Sequence, residues 1–453
     1  MATKQGCPEP LMRDYVKQLL AEGDMRLVER EVDPKHELAA VTKLSQAKDE
    51  RPILFRRVKG TSMPVVTNLY GSRRRLRRMI GAKDGSFCRR WQSLADAMQP
   101  SAASFLEPVQ APPDLRAGRL SELPQITYWE RDAGPYFTAA IYLAREPDTG
   151  VANLSFHRSM YVSDEELRIR LGTTHDLTRY QQKAEARGEA LPAALLIGTA
   201  PDIFIAAAIS LPYETDELSA AAQIRGRPIP MRPCRTIDLM VPADTEIVVE
   251  GEILPGIRRP EGPFGEFMGY YVPVGENHVF RVKHVSYREG AIFHGLLCGS
   301  PEDVVLLQET TAARIYRLIT QQVRGVIDVA VHATLLCTVV SIKQTYPGQA
   351  RHVAMAAIGS HLDYNKAVIV VDDDVDIHDM HDVWWAFLTR GRADTRTTVI
   401  PDVPGFYRDP QRDHWGRLVI DATKPLGREP EFERRRIPGE DTIRLEDYFG
   451  KSG

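Results

Sequence analysis

The pattern that most constrains this chain lies between Tyr128 and Tyr287, where short β-branched or aromatic runs replace helical spacing. Runs at 137–142, 193–198, 245–252 and 278–287 are separated by turn residues, with helical insertions expected near 163–171 and 177–188. Many short strands punctuated in this way predict a barrel-like β domain. The flanks read differently. Upstream, Leu11, Met12, Tyr15, Val16, Leu19 and Leu20 fall near helical spacing, predicting a helix over about 9–23 that Gly23 ends. Short strands at 52–58 and 64–68 and a helix from Ser72 follow, and the Pro/Ala/Ser-rich stretch 100–124 reads as a linker. Downstream, Ser300 stands where a helix cap belongs, with Glu302 and Asp303 in the first turn of a helix running through Gln322. Apolar strands at 329–332, 337–342 and 367–371 then alternate with helices, one of them around 381–390, predicting an α/β domain with a mainly parallel sheet. The charged tail, about 429–453, reads as an arm or exchanged segment.

At 453 residues the chain exceeds one ordinary domain. With 43% hydrophobic and 26% charged residues it has a soluble globular profile, and a net charge of -3 favours neither nucleic acid nor an anionic membrane. Cys7, Cys88, Cys234, Cys298 and Cys337 are scattered without a CxxC pair, which suggests a reducing compartment. The opening MATKQGCPEP lacks the apolar core of a signal peptide. The most apolar stretch, 190–212, is broken by Pro192, Pro201 and Asp202, so it reads as a buried strand–turn–helix rather than a bilayer span. The expected location is cytoplasmic, with no membrane partner.

Two segments offer chemistry. In Glu261-Gly-Pro-Phe-Gly-Glu266, two carboxylates flank two glycines and a proline, which excludes regular helix or central strand and requires a tight loop. One carboxylate there can stay ionised against a cation while the other, in a drier place, delivers a proton. In Asn153-Leu-Ser-Phe-His157-Arg158, an amide, a hydroxyl, an imidazole and a guanidinium follow one strand, and arginine's fork matches a carboxylate. On local grounds alone, a solvated acidic turn and an ordinary edge strand are the simpler readings. Three other features read as structural. The basic run Arg73–Arg78 fits a solvated helix face, with a dimer contact as the next option. Asp372, Asp373, Asp374 and Asp376, with His378 and His381, fit a strand end and the next helix's cap rather than a metal cluster. Cys298 reads as a buried thiol. The fingerprints GxGxxG, GxxxxGK[ST], GxSxG and HExxH are absent.

The strings NLSFHR and EGPFGEFMGYY, with VWWAFLTR, RLVIDATKP, LLAEGDMRLVEREVDP, VVTNLYGSRRR and CRTIDLMVPADTEIVVEGEI, resemble the UbiD decarboxylase family in order along nearly the whole chain. The resemblance implies an α/β and β multidomain fold. An N-terminal α/β domain would cover 1–115, a central split β-barrel resembling flavin reductases 125–298, and a C-terminal α/β dimerisation domain 299–453. It implies prenylated FMN made by a separate flavin prenyltransferase, a divalent metal (usually manganese), often potassium, and a homodimer or larger homo-oligomer. The family's catalytic arginine falls on Arg158. Its glutamates fall on Glu261, which pairs with the arginine, and on Glu266, the acid–base residue. Metal ligands fall on Asn153 and His175. Ser155, Phe156, His157, Arg158, Thr174, His175, Ser210, Leu211, Pro212 and Arg417 would contact the cofactor. Two departures stand out. Pro230 occupies a position where the family usually has a metal-binding glutamate, leaving Glu214 or Glu217 as substitutes, and Arg417 replaces a phosphate-binding lysine.

The implied activity is reversible, non-oxidative decarboxylation of an aromatic, heteroaromatic or α,β-unsaturated acid, since side chains alone hold no electron sink for the carbanion left by CO2. The alternatives are a non-catalytic flavin-binding protein and an FMN-dependent reductase. The pocket is expected near Phe267 and Met268, residues 294–297 and the C-terminal domain, where Trp384, Trp385, Tyr407 and Trp415 could shape it.

Overall fold

The computed structural model describes residues 11–98, 105–213, 215–360, 364–403, 405–406, 409–410, 416–444 and 446–449. Cys7, Glu214, Tyr407 and Trp415 lie outside the described residues. The first helix, Met12–Ala21, buries Met12, Tyr15, Val16 and Leu19, the face expected from their spacing. A second helix, Glu37–Gln46, had no sequence signal strong enough to announce it, because its buried face is only Leu38, Ala39 and Thr42. Strands Arg26–Val28, Ile53–Phe55 and Val65–Thr67 form a small sheet that is completed by Phe293–His294, from far along the chain.

Ser72 caps the helix Arg73–Ile80, accepting from Arg75 N at 3.3 Å. Only Arg74 and Arg78 of this helix form the expected solvated face. Arg75 is buried, and Arg73 and Arg77, one turn apart, both pair with Glu309 at 3.0 and 3.3 Å. Residues four apart share a helix side, so an acid on the neighbouring helix collects both.

The central sheet is antiparallel. Its strand order is Tyr136–Phe137, Ser159–Ser163, Glu166–Ile169, Gly275–Arg288, Ile247–Glu261, Leu191–Ile197, Ile141–Arg145, Ala152–Phe156, with Leu115–Gly118 added on Gly275–Arg288. The strands Ala152–Phe156 and Ser159–Ser163 are six steps apart in this order, yet only His157 and Arg158 lie between them. Six steps across a flat sheet cover roughly 29 Å. Two linking residues reach about 10 Å. The sheet must therefore curl into a half-barrel, and Arg158 sits where its margins meet.

The helix expected near 163–171 is instead a hairpin, Ser159–Ser163 against Glu166–Ile169. The run Ser163-Asp-Glu-Glu-Leu mimics a helix start, but Leu167 and Ile169 are buried alternately with Arg168 and Arg170, a period of two that the sheet exploits. The second insertion is the helix Asp176–Ala186. Stretch 190–212 gives the strand Leu191–Ile197 and the helix Pro201–Ala206, and no described helix is long and apolar enough to cross a membrane.

The C-terminal sheet, in the order Val326–His332, Cys337–Ile342, Ala367–Asp372, Arg417–Asp421, Thr397–Ile400, is mixed rather than mainly parallel, since both outer pairings are antiparallel. The first is a hairpin, whose short connection dictates antiparallel pairing. Arg390 bonds Asp372 and Asp374, and Asp379 caps the helix Met380–Arg390, so the aspartate cluster ends a strand and starts a helix.

Ser300 occupies the cap position of the helix Pro301–Thr320 without a side-chain capping bond; Asp303 instead accepts from Gly299 N at 2.8 Å. Glu302 is drawn away from the helix end. Its buried carboxylate accepts from Asn68 N at 2.5 Å, Tyr70 N at 3.1 Å and His294 Nε2 at 2.8 Å, tying the three parts of the chain together. One apolar core spans the same parts, from Met12 and Trp91 through Ile141 and Leu196 to Ile315 and Val370. Truncating Glu302 to Ala strands these buried donors, each at about 1–3 kcal/mol. Thermal or denaturant unfolding of Glu302→Ala should show a loss of about 3–5 kcal/mol, with Glu302→Gln losing less.

Candidate functional site

Glu261 is the last residue of its strand, and the next stretch turns sharply, with Gly262 at φ +95° and Phe264–Gly265 paired to Tyr271–Val272. Gly265 is required where it stands. A Cβ there would come within 2.3 Å of Trp129 Cδ1. Asp132 pins both backbones, accepting from Gly265 N and Trp129 N at 2.9 Å each.

This loop delivers both carboxylates to Arg158. Nε and Nη2 grip Glu261 at 3.0 and 2.9 Å, while Nη1 bonds Glu266. The guanidinium lies 4.7 Å over the Phe264 ring centroid. Glu261 is fully buried and also accepts from Tyr136 Oη and Asn277 Nδ2, both at 2.8 Å. Burial opposes the charge on Arg158, but Glu266 and Glu261 outweigh it and raise its pKa. Burial, reinforced by Glu261, raises the Tyr136 phenol, which stays a donor. The two carboxylates thus differ in surroundings: Glu261 is enclosed on both oxygens, whereas Glu266 faces a cavity of about 180 Å³.

Beside it, the Ser155 hydroxyl donates to Asn153 Oδ1 at 2.9 Å and lies 2.9 Å from His157 Nε2. The His157 and His175 rings are 5.0 Å apart between centroids. Glu217, not position 230, reaches Asn153: its carboxylate accepts from Asn153 Nδ2 at 3.2 Å and Leu154 N at 2.9 Å. Pro230 sits in a small separate sheet, its carbonyl accepting from Ala243 N. Burial pushes the Glu217 carboxyl well above its ordinary range, and the charges acting on it, Asp216 and Asp176, are negative. A buried carboxylate in acidic company suits a cation. Among the described residues no three His, Cys, Asp or Glu side chains cluster as a metal centre, so the Asn153 amide oxygen would have to join Glu217 and His175.

Of the sequence-predicted residues, Phe156, His157, Arg158, Thr174, His175 and Glu266 line the cavity, and Asn153 and Ser155 adjoin it through the hydrogen bonds above. Ser210 and Pro212 are exposed, Leu211 packs on the core, and Arg417 is buried in the C-terminal sheet opposite Ile400; none is among the described lining residues. Phe267 and Leu296 line it as expected. His294 is instead buried against Glu302 and Tyr70. Among the described residues, Leu307, Tyr364 and Phe406 form the wall from the C-terminal part, and Trp384 and Trp385 do not. Trp384 is half exposed, and Trp385 lies between the guanidinium groups of Arg390 and Arg434. Sequence reasoning missed Tyr136, Asn277 and Asp303. Asn277 stands between Glu276 and His278, so nothing in its local sequence sets it apart.

Comparison with known proteins places the fold in a family. Models of the 3-octaprenyl-4-hydroxybenzoate carboxy-lyase (UbiD) match in chain order: its N-terminal domain over residues 16–95, its Rift-related domain over 106–301 and its C-terminal domain over 304–422. An anhydromevalonate phosphate decarboxylase of Methanothermobacter thermautotrophicus is 32% identical over 93% of this chain and 99% of its own length. The UbiD-class enzyme HmfF of Pelotomaculum thermopropionicum, solved with FMN, superposes with a TM-score of 0.88 at 34% identity, covering 96% of this chain and 99% of that one. Vanillic acid decarboxylase of Sedimentibacter hydroxybenzoicus gives 0.85 at 26% identity, covering 96% and 97%. Family models covering most of the chain, and relatives aligned end to end, carry one conclusion: this chain belongs to the UbiD family of carboxy-lyases.

Proposed function

We propose that this protein reversibly and non-oxidatively decarboxylates an aromatic, heteroaromatic or α,β-unsaturated acid with prenylated FMN. The observation that carries the reading is the meeting of Arg158, Glu261 and Glu266 in one buried cluster, with only Arg158 and Glu266 reaching the cavity. The bound flavin supplies the electron sink that CO2 loss requires. Arg158 provides the positive charge that orients the substrate carboxylate. Glu261 positions Arg158, because its oxygens are already occupied by three partners. Glu266 holds the proton and transfers it to the carbon that has lost CO2.

Ser155, Phe156, His157, Arg158, Thr174 and His175 would hold the cofactor, with Ser210, Leu211, Pro212 and Arg417 at its periphery. Asn153, His175 and Glu217 would hold a manganese-like cation, since hard cations take carboxylate and amide oxygens and such metals also accept imidazole; potassium would accompany it. The curled central sheet is read as a flavin reductase-like split barrel, within domains at 1–115, 125–298 and 299–453. A cytoplasmic homodimer supplied with cofactor by a flavin prenyltransferase completes the assignment.

Co-expression with a flavin prenyltransferase should be needed for CO2 release from a panel of unsaturated acids. In that background Glu266→Gln should lower kcat by about 10²–10⁴-fold, while the flavin absorption spectrum persists; turnover at the wild-type rate would overturn the role of Glu266. Glu217→Ala should purify with less than a tenth of the wild-type manganese by elemental analysis. Full occupancy would remove Glu217 from the ligand set.

A further inference from the structure

The cavity holds a second acid that the decarboxylation scheme does not use. Asp303 lies in the first turn of the helix Pro301–Thr320 and lines the cavity beside Cys298. Two donors from the protein reach its carboxyl: the Gly299 N–H at 2.8 Å and the Cys298 thiol. Gly299 packs directly on the loop that carries Glu266. A Cβ on it would meet Phe267 Cα at 3.3 Å and the Glu266 carbonyl oxygen at 3.6 Å. Asp303 is therefore fixed relative to the reactive pair rather than swinging in solvent. Burial, with smaller contributions from Glu266 and Glu302, pushes its carboxyl up to about 6.

The same cavity is lined by the apolar or aromatic Phe267, Leu296, Leu307, Tyr364 and Phe406 and by the charged Arg158, Arg170 and Glu266. An ionised carboxylate offers about four acceptor positions. Two protein donors leave part of that capacity facing the cavity. A partly buried carboxylate of this kind favours a ligand that brings a donor and opposes one that brings negative charge.

We propose that Asp303 sets the substrate class, accepting a hydrogen bond from a hydroxyl or ring N–H on the unsaturated acid and turning away acids with a second anionic group. The proposal rests on the decarboxylase reading above for the identity of the cavity as the substrate site.

The test uses the holoenzyme, co-expressed with a flavin prenyltransferase, and matched acids that differ in one group. Pyrrole-2-carboxylate against furan-2-carboxylate, and 4-hydroxycinnamate against cinnamate, report the donor. Furan-2,5-dicarboxylate against furan-2-carboxylate reports the second charge. Binding is measured by calorimetry and turnover by CO2 release. The wild type should bind the donor-bearing member of at least one pair about tenfold or more tightly, and the dicarboxylate about tenfold more weakly. Asp303→Ala should erase both preferences, mainly through KM rather than kcat. The isosteric Asp303→Asn should remove the penalty on the dicarboxylate, and its melting curve checks that the fold survives. Equal affinities in the wild type, no binding of any acid, or preferences that persist in Asp303→Ala would each overturn the proposal. If acids bind with these preferences but no CO2 is released from any, the decarboxylase reading fails while the assignment of Asp303 stands.

Discussion

A guanidinium shared between two carboxylates of one loop is the constraint on which the rest of the site depends. Arg158 has little contact with solvent, and an isolated buried charge is costly. It is tolerated because Glu261 offers a complete fork and Glu266 takes the remaining arm. The surplus negative charge is spread in turn over Tyr136 and Asn277. Breaking any member leaves the others buried and uncompensated, the case in which ion pairs matter most. The same residue also marks the topological seam of the half-barrel, so the fold and the charge cluster specify each other. Arg158 cannot reach that loop unless the sheet curls.

The curl alone does not join the central sheet to the rest of the chain. Glu302 closes the arrangement by joining the backbone at Asn68 and Tyr70, the end of the central region at His294 and the start of the C-terminal helix. Its position explains why an acid in the first turn of a helix does not serve the helix end. Backbone N–H groups buried in a loop need an acceptor more than a dipole does, because each unsatisfied donor costs more than a dipole contact returns. The tether fixes the first turn of that helix, and with it Asp303 and Leu307, against the loop of Glu266.

How much of this could be read from the sequence differs by scale. Strands with β-branched runs, such as Cys337–Ile342, and helices with a full apolar stripe, such as Met12–Ala21, were legible because their burial follows one period. The site strings were legible because glycine, proline and paired charges leave few backbone options. The hairpin at 159–169 was not, since its acidic turn has the composition of a helix start and the alternation of Leu167 and Ile169 is only two residues long. The arginine run was misjudged for a different reason: its partner Glu309 lies more than two hundred residues away. Glu217 was one of two candidate acids, and the contact that sets it against Asn153 is visible only in the fold. Tertiary partners decide such cases, and single-sequence spacing carries no record of them.

The cavity draws its parts from unequal sources. The reactive cluster comes from central strands and a loop whose backbone is pinned by Asp132 and crowded by Trp129. Another wall comes from side chains of the C-terminal part, Leu307, Tyr364 and Phe406, and the Phe406 ring contacts both Tyr364 and Phe267. Substitutions in that wall change shape and polarity without touching Arg158 or its acids. Solved relatives at 34% and 26% identity keep the fold at TM-scores of 0.88 and 0.85, and one of them is named for vanillic acid. A fold kept at that level does not by itself fix the acid, so what distinguishes one family member from another has to lie in the residues that line the site.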